Sequence, residues 1–212
     1  MRLYKNLEPV VSVILPSYNR KKLLERAINS VINQTIKEWE LIIVDDGSSD
    51  KTFDLVKSYQ NQFENIRYLR HSNRKLPLSL NVGIQASCGK YLTFLGSDDE
   101  FTKDHLRQRV EFLRNNPEVD LLHGGVEVIG DPYVKDKNDL SKKIHLNECV
   151  IGGTFFGKRD LFNIENGFKD VAYSEDSEFF ERIKNKYIIR KVSFPTYRYY
   201  RDTPDSICSN IT

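Results

Sequence analysis

Two apolar runs, about fifty residues apart, each stop on a pair of adjacent carboxylates. The first reads Leu41-Ile42-Ile43-Val44-Asp45-Asp46-Gly47-Ser48, the second Tyr91-Leu92-Thr93-Phe94-Leu95-Gly96-Ser97-Asp98-Asp99. Short continuous apolar runs suit parallel strands buried on both faces, and an unpaired carboxylate cannot follow them into the core. Their spacing is that of successive strands in α/β units. Open α/β sheets bind ligands in the crevice outside the carboxyl ends of their strands. Two acidic strand ends there suit a cation or hydrogen-bond donors, such as a base, a ribose or a divalent metal.

The remaining patterns supply the same alternation. Val10 to Leu15 is a β-rich run ended by Pro16-Ser17-Tyr18-Asn19. From Lys21 the spacing becomes helical, with Leu23, Leu24, Ala27, Ile28, Val31 and Ile32 on one face. Trp39 to Val44 is the second strand, and Thr52 to Gln62 a helix that buries Phe53, Leu55, Val56 and Tyr59. Ile66 to Leu69, a helix over Leu78 to Ala86, and Tyr91 to Leu95 complete β-α-β-α-β-α-β, hence a largely parallel sheet with right-handed crossovers. Beyond it the pattern predicts a helix over Lys103 to Asn115 and a strand over Asp120 to Ile129. A mobile loop is expected over Asp131 to Asn147, then a helix over Asp176 to Lys186, a strand over Tyr187 to Val192 and an aromatic-basic tail.

At 212 residues the chain is one sizeable α/β domain, and its net charge of +2 excludes nucleic-acid binding driven by bulk electrostatics. No apolar run approaches the ~20 residues that span a bilayer, and Met1 to Lys5 lacks a signal-peptide stretch. Cys88, Cys149 and Cys208 fit neither a disulfide framework nor a metal site. These features lead us to expect a cytoplasmic protein. Lys184, Lys186, Arg190, Lys191, Arg198 and Arg201 form a basic set, read as a solvated face, with contact at the inner face of a membrane left open.

Each acidic cluster has a plain structural use beside a chemical one. Tyr18, after the first strand, can pack on the surface or on a nucleobase, and a neighbouring carboxylate can accept the imide N–H of a uracil-type base. Asp45 and Asp46 can cap the following helix, though two acids exceed what a turn needs. Asp98 and Asp99 can cap the helix near Lys103 or hold Mg²⁺ or Mn²⁺. Glu175 and Asp176 sit where a helix starts, so they can complement its dipole or take a proton from a hydroxyl nucleophile.

In this order the pieces resemble glycosyltransferase family 2, of the GT-A nucleotide-sugar fold. The matching stretches are Val11 to Arg20, Ser30 to Thr35, Glu40 to Asp50, Asn81 to Ile84, Gly89 to Tyr91 and Phe94 to Asp99. Gly152-Gly153, Asn166-Gly167-Phe168 and Glu175-Asp176 with Glu178 to Arg182 follow, so the resemblance spans roughly residues 9 to 207. It implies one GT-A domain over 1–212, with a Rossmann-like nucleotide-sugar-binding half over about 9–100 and an acceptor and catalytic-base half over about 101–212. It also implies that Pro16, Tyr18 and Asp46 line the base and ribose pocket. Asp98 then faces ribose or sugar, Asp99 binds Mn²⁺ or Mg²⁺ bridging the donor diphosphate, and Asp176 deprotonates the acceptor hydroxyl for inverting attack. The partners implied are a nucleotide-sugar donor, UDP-linked by preference, and a saccharide or lipid-linked saccharide acceptor of cell-surface polysaccharide or glycolipid assembly.

Two departures stand out. Gly96 replaces the first acid of the frequent Asp-Ser-Asp-Asp, and Thr203 stands at the His position of the frame Tyr200-Arg201-Asp202-Thr203-Pro204-Asp205-Ser206. Arg201 is then a candidate phosphate contact, and the stop at Thr212 fits either a compact member or a truncated chain. These departures favour, as an alternative, a catalytically weak nucleotide-sugar-binding module. A sugar nucleotidyltransferase is disfavoured because Leu15 to Arg20 contains no glycine to wrap a triphosphate. Metal-dependent phosphate hydrolysis would want a denser His and Asp cluster than four scattered histidines offer.

Overall fold

The computed structural model describes Tyr4, residues 8–201 and Thr203. In chain order the elements are β1 (Val11–Ser17), α1 (Lys21–Ile32), β2 (Trp39–Asp45), α2 (Thr52–Gln60), β3 (Ile66–Arg70), α3 (Lys75–Ala86) and β4 (Tyr91–Phe94). Then come β5 (Glu100–Phe101), α4 (His105–Asn115), β6 (Leu121–Ile129), β7 (Tyr133–Asp136) and β8 (Asp139–His145). Two short 3₁₀ turns, Leu146–Glu148 and Gly152–Thr154, lead to β9 (Phe156–Lys158), α5 (Arg159–Ile164), α6 (Glu175–Ile183) and β10 (Ile189–Tyr200).

Eight strands form one sheet in the order β3-β2-β1-β4-β9-β6-β10-β5, and β7 and β8 form a separate hairpin. The first four pair in parallel, as the alternation required. β9 inserts antiparallel between β4 and β6, and β5 closes the far edge antiparallel to β10. Because β2 and β4 lie on opposite flanks of β1, the chain reverses direction across the sheet there. The carboxyl ends of β1 and β4 therefore bound the crevice in which open α/β sheets bind ligands.

Alternation along the buried strands divides the core in two. Val11, Val13 and Leu15 of β1 face α1, whose Leu24, Ala27, Ile28 and Val31 are fully buried, with α4 on the same side. Ile14 faces the other way, onto Leu80 and Ile84 of α3, beside Phe162 of α5 and Phe179 of α6. α3 approaches β1 so closely that a Cβ at Gly83 would overlap Ile14 Cγ2. Pro16 is tolerated in this central strand for a geometric reason. Ile14 O accepts from Leu95 N at 2.9 Å, so Pro16, two residues on, faces the same flank, where β4 has ended and no ladder bond is lost.

Several boundaries and three environments differ from the sequence reading. Phe53 is 50% exposed, its ring tilted onto Tyr68 rather than buried. Asp131 to Asn147 is not a loop: β7 and β8 pair through the two-residue connection Lys137-Asn138, with Asn138 N donating to Asp136 Oδ1 at 2.8 Å. The aromatic-basic tail is the second half of β10, which pairs with Val126 to Ile129 of β6 after a register shift between Val192 and Tyr197. The basic set is largely engaged: Lys184 pairs with Glu181, Lys186 with Glu165, and Arg198 with Glu100 and Glu127. Cys208 lies outside the described residues.

Introducing a methyl group where two elements already touch forces strain of about 1–3 kcal/mol. Gly83→Ala is therefore expected to lower the urea midpoint of unfolding with an unchanged m-value, read by circular dichroism.

Candidate active site

A cleft of about 870 Å³ opens at the switch point, lined by Pro16, Tyr18, Asp46, Asp98, Asp99 and Asp176 among others. All six residues expected from the sequence thus face one space.

The side of the cleft that carries Tyr18 and Asp46 is built from two turns sewn together. Asn19, at φ +53°, donates its N–H to Ser48 Oγ at 2.9 Å, and its Oδ1 accepts from Ser49 N at 2.8 Å. Asp50 Oδ2 accepts from Lys21 N at 2.9 Å, capping α1 from the turn that precedes α2. This frame leaves Tyr18 at 48% exposure, with its ring free to receive a flat ligand. The adjacent acids divide the work. Asp45 is buried and accepts from Ser48 N at 2.7 Å and from Tyr68 OH, which makes it structural. Asp46 lines the cleft, and its oxygens accept from Arg74 N at 2.6 Å and Lys75 N at 2.9 Å, fixing the entry to α3. His71 Nδ1 lies 3.2 Å from Asp46 Oδ1. A carboxylate has about four lone-pair directions, so Asp46 keeps acceptor capacity toward the cleft.

The second acid pair is split by burial. Asp99 is 2% exposed; Tyr197 OH donates to its Oδ2 at 2.6 Å and Tyr200 N to its Oδ1 at 2.9 Å. Burial, reinforced by the charge of Asp98, pushes the Asp99 carboxyl up to about 7. Asp98 is partly exposed, and among the described residues no hydrogen bond occupies its carboxylate. Its backbone carbonyl instead accepts from Arg26, whose guanidinium lies over the Tyr200 ring. Among the described residues no group of three or more His, Cys, Asp or Glu is gathered as a metal cage. The site therefore offers two adjacent carboxylates, the donor set of a divalent ion completed by substrate phosphates. A cation also answers the electrostatic problem posed by a buried acid beside a second one.

Across the cleft, Asp176 lies in the first turn of α6. Its Oδ1 accepts from Ser177 N at 2.7 Å and Ser174 Oγ at 3.2 Å, and its Oδ2 from Gly152 N at 2.9 Å. Burial nevertheless raises this carboxyl above its ordinary range. Glu175 beside it is pushed up to about 7, by burial and then by the Asp176 charge. The turn that precedes α6 is gripped from both sides: Asn81 of α3 bonds the N–H and carbonyl of Phe168, and Arg182 of α6 bonds the carbonyls of Glu165 and Gly167.

Two further contributors line the cleft: the hairpin, from the region expected as a mobile loop, and Tyr197, which sequence reasoning missed. Val134, Lys135, Asp136, Lys137 and Asn138 of the hairpin line the cleft, and Tyr173 OH donates to Lys135 O at 3.2 Å. The Asp136-Lys137-Asn138-Asp139 turn was the available signal. Tyr197 also lines the cleft wall, from a strand half that Pro195 disguised. The expected phosphate contact, Arg201, instead donates to the Asp131 and Tyr133 carbonyls at 3.2 and 3.3 Å, bracing the hairpin's root. Thr203 is buried, its hydroxyl 3.5 Å from Tyr200 O, while Asp202 and residues 204–206 of that frame lie outside the described residues.

Known proteins share this sequence pattern and fold. A sequence model of "Glycosyl transferase family 2" matches residues 12–205. The Bacillus subtilis glycosyltransferase TuaG, assigned to teichuronic acid biosynthesis, is 40% identical over 110 residues, 51% of this chain and 43% of that protein. A Campylobacter jejuni GalNAc(5)-diNAcBac-PP-undecaprenol beta-1,3-glucosyltransferase is 34% identical over 186 residues, 86% of this chain and 54% of its own length. The chain thus spans about half the length of these relatives. Staphylococcus aureus TarS 1–349 in complex with UDP-GlcNAc superposes with a TM-score of 0.78 at 22% identity, covering 95% of this chain and 61% of that one. The Pyrobaculum calidifontis mannosyltransferase PcManGT, in complex with GDP-Man and Mn²⁺, gives 0.74 at 20% identity, covering 96% and 59%. The fold is therefore GT-A.

A raised carboxyl binds its proton more tightly folded than unfolded, so its stability contribution is whole at low pH. That contribution fades as pH rises from the ordinary Glu range through about 7. Glu175→Gln should therefore raise the urea midpoint relative to wild type at pH 8 and leave the two proteins close at pH 5.

Proposed function

The chain belongs to glycosyl transferase family 2, and from that membership we propose that it is an inverting glycosyltransferase. It moves a sugar from a nucleoside diphosphate donor, UDP-linked by preference, to a hydroxyl of a saccharide or lipid-linked saccharide. The observation that carries the reading is the placement of Tyr18, Asp46, the Asp98–Asp99 turn and Asp176 around one cleft at the switch point.

In this reading the Tyr18 ring and Pro16 pack against the base, and Asp46 accepts the base N–H with the lone pairs that Arg74 and Lys75 leave open. The sheet's carboxyl edge directs the diphosphate toward the acidic turn. Asp98 would hold a Mn²⁺ or Mg²⁺ ion with its cleft-facing carboxylate, beside Asp99, whose two oxygens accept from Tyr197 OH and Tyr200 N. This assignment reverses the emphasis expected from sequence, because Asp99 is the acid consumed by protein donors. The ion's chemistry is electrostatic, offsetting charge that develops on the departing diphosphate.

Asp176 takes the proton from the acceptor hydroxyl as oxygen attacks the anomeric carbon on the face opposite the leaving group. Gly152 N–H, Ser177 N–H and Ser174 hydroxyl fix its direction, and burial keeps its basicity above that of an exposed aspartate. The acceptor lies between α6 and the β7–β8 hairpin, whose Val134 and Ile144 add apolar contact. The likeness to TuaG and to the Campylobacter jejuni glucosyltransferase supports cell-surface polysaccharide assembly as the first setting to test. No described helix is long and apolar enough to cross a membrane.

Calorimetry with UDP, dTDP, GDP and CDP, each with and without Mn²⁺, tests the donor site. One nucleotide should bind best, more tightly with metal, and lose that gain in Asp98→Ala; no binding of any would sink the reading. Asp176→Asn should keep the nucleotide and lose roughly 10²–10⁴ in transfer rate. Transfer by the wild type should rise with pH through a limb above the ordinary aspartate range, since the raised carboxyl must lose its proton to serve as base.

A further inference from the structure

The acidic turn is anchored by a residue from the other end of the chain. Tyr197, in the half of β10 beyond the bulge, is 1% exposed. Its hydroxyl oxygen accepts from Gly96 N at 3.1 Å, and its proton goes to Asp99 Oδ2 at 2.6 Å. With Asp99 ionised that direction follows, because a backbone N–H only donates and a carboxylate only accepts. The ring cannot swing away. Phe101 meets it edge-on with centroids 5.7 Å apart, and Gly153 packs so closely on its hydroxyl end that a Cβ there would overlap Oη. Gly153 adjoins Gly152, whose N–H holds Asp176. One buried phenol therefore touches both the turn that carries the acid pair and the turn that orients the base.

Gly96 is the counterpart of that anchor. A Cβ at position 96 would lie 2.6 Å from Asp99 Oδ2 and 3.2 Å from Asp98 Oδ1. Only the bare backbone gives Asp99 room to fold inward to Tyr197. We propose that Tyr197 is a positioning residue for the donor-side carboxylates. By holding Asp99 inward it leaves Asp98 as the carboxylate presented to a divalent cation, in a chain whose residue 96 supplies no acid. This rests on the donor-site reading above, and it gives the Gly96 departure a use in the same arrangement as Tyr197.

Two variants attack the arrangement from opposite ends. Tyr197→Phe keeps the ring and removes the hydroxyl; Gly96→Ala leaves Tyr197 intact and displaces the Asp99 carboxylate. Each is compared with wild type by calorimetric titration of the tightest-binding nucleoside diphosphate, in EDTA and in Mn²⁺, by electron paramagnetic resonance of Mn²⁺ alone, and by thermal unfolding. Both variants are expected to lose about tenfold or more of the Mn²⁺-dependent gain in affinity, the scale of one hydrogen bond to a charged group. Metal-free affinity should stay within about threefold, and the Mn²⁺ signal should report weaker binding in the same order. A full metal-dependent gain in either folded variant overturns the proposal, as does equal weakening with and without metal. If Tyr197→Phe does not fold, Gly96→Ala decides. Wild type that binds nucleotide with no metal gain refutes this inference alone, whereas wild type that binds no nucleotide removes the donor-site reading and this one with it.

Discussion

Parallel pairing of β1 on both flanks is the constraint from which the cleft follows. β2 and β3 extend the sheet to one side and β4 to the other, and helices α1 and α3 cover opposite faces. A strand buried on both faces admits no unpartnered charge: Glu40, the second residue of β2, is fully buried but accepts from Tyr4, Ser12 and Arg67, and the acids that line the cleft lie beyond the carboxyl ends of the strands. There the turns after β1, β2 and β4 meet. Their side chains converge because the strands are parallel and begin and end nearly in register, with Ser17 opposite Asp45 and Ile14 opposite Phe94.

Carboxylates concentrated at such an edge repel one another and lose hydration, and the fold answers with backbone N–H groups. Asp45 takes Ser48 N, Asp46 takes Arg74 N and Lys75 N, Asp99 takes Tyr200 N, and Asp176 takes Gly152 N and Ser177 N. Capping and chemistry are therefore not rival explanations of these acids. A carboxylate with one or two fixed backbone donors is held at a defined angle while retaining lone pairs for a ligand. Asp98 is the exception: among the described residues no hydrogen bond occupies its carboxylate.

The first half of the chain was legible because its physics is local. Leu41 to Val44 is apolar without interruption and Tyr91 to Leu95 is broken only by Thr93, and the acid that follows each can lie only at the sheet edge. The second half depends on contacts that leave little trace in the sequence. In β8 the exposed run Leu140-Ser141-Lys142-Lys143 hides the alternation that Val134 and Ile144 show across the hairpin. In β10 the bulge absorbs Ser193 to Thr196, so a period-2 reading fails at Pro195 although pairing resumes at Tyr197. Phe53 failed for the opposite reason: its helical spacing is right, but α2 lies at the sheet's edge, where β3 covers only part of that face. Matching six site residues by motif could not reveal which of two adjacent aspartates points outward, because that depends on a tyrosine almost a hundred residues away.

That long-range dependence changes how the acidic turn should be understood. An acid pair at a strand end presents two candidate ligands, and a mobile pair would share a cation without a fixed geometry. Here β10 removes the ambiguity by binding both oxygens of one acid, Oδ2 through a side chain and Oδ1 through its own backbone. The strand that does so is parallel to β6 and antiparallel to β5, the two-residue strand that directly follows the acidic turn. Tyr197 lies opposite Phe101 and Arg198 opposite Glu100 in that pairing, so the register of β5 on β10 sets Asp99 against the Tyr197 hydroxyl. The far edge of the sheet thus has a function at its centre: closing the last antiparallel pair in the correct register is what aims the carboxylates at the end of β4.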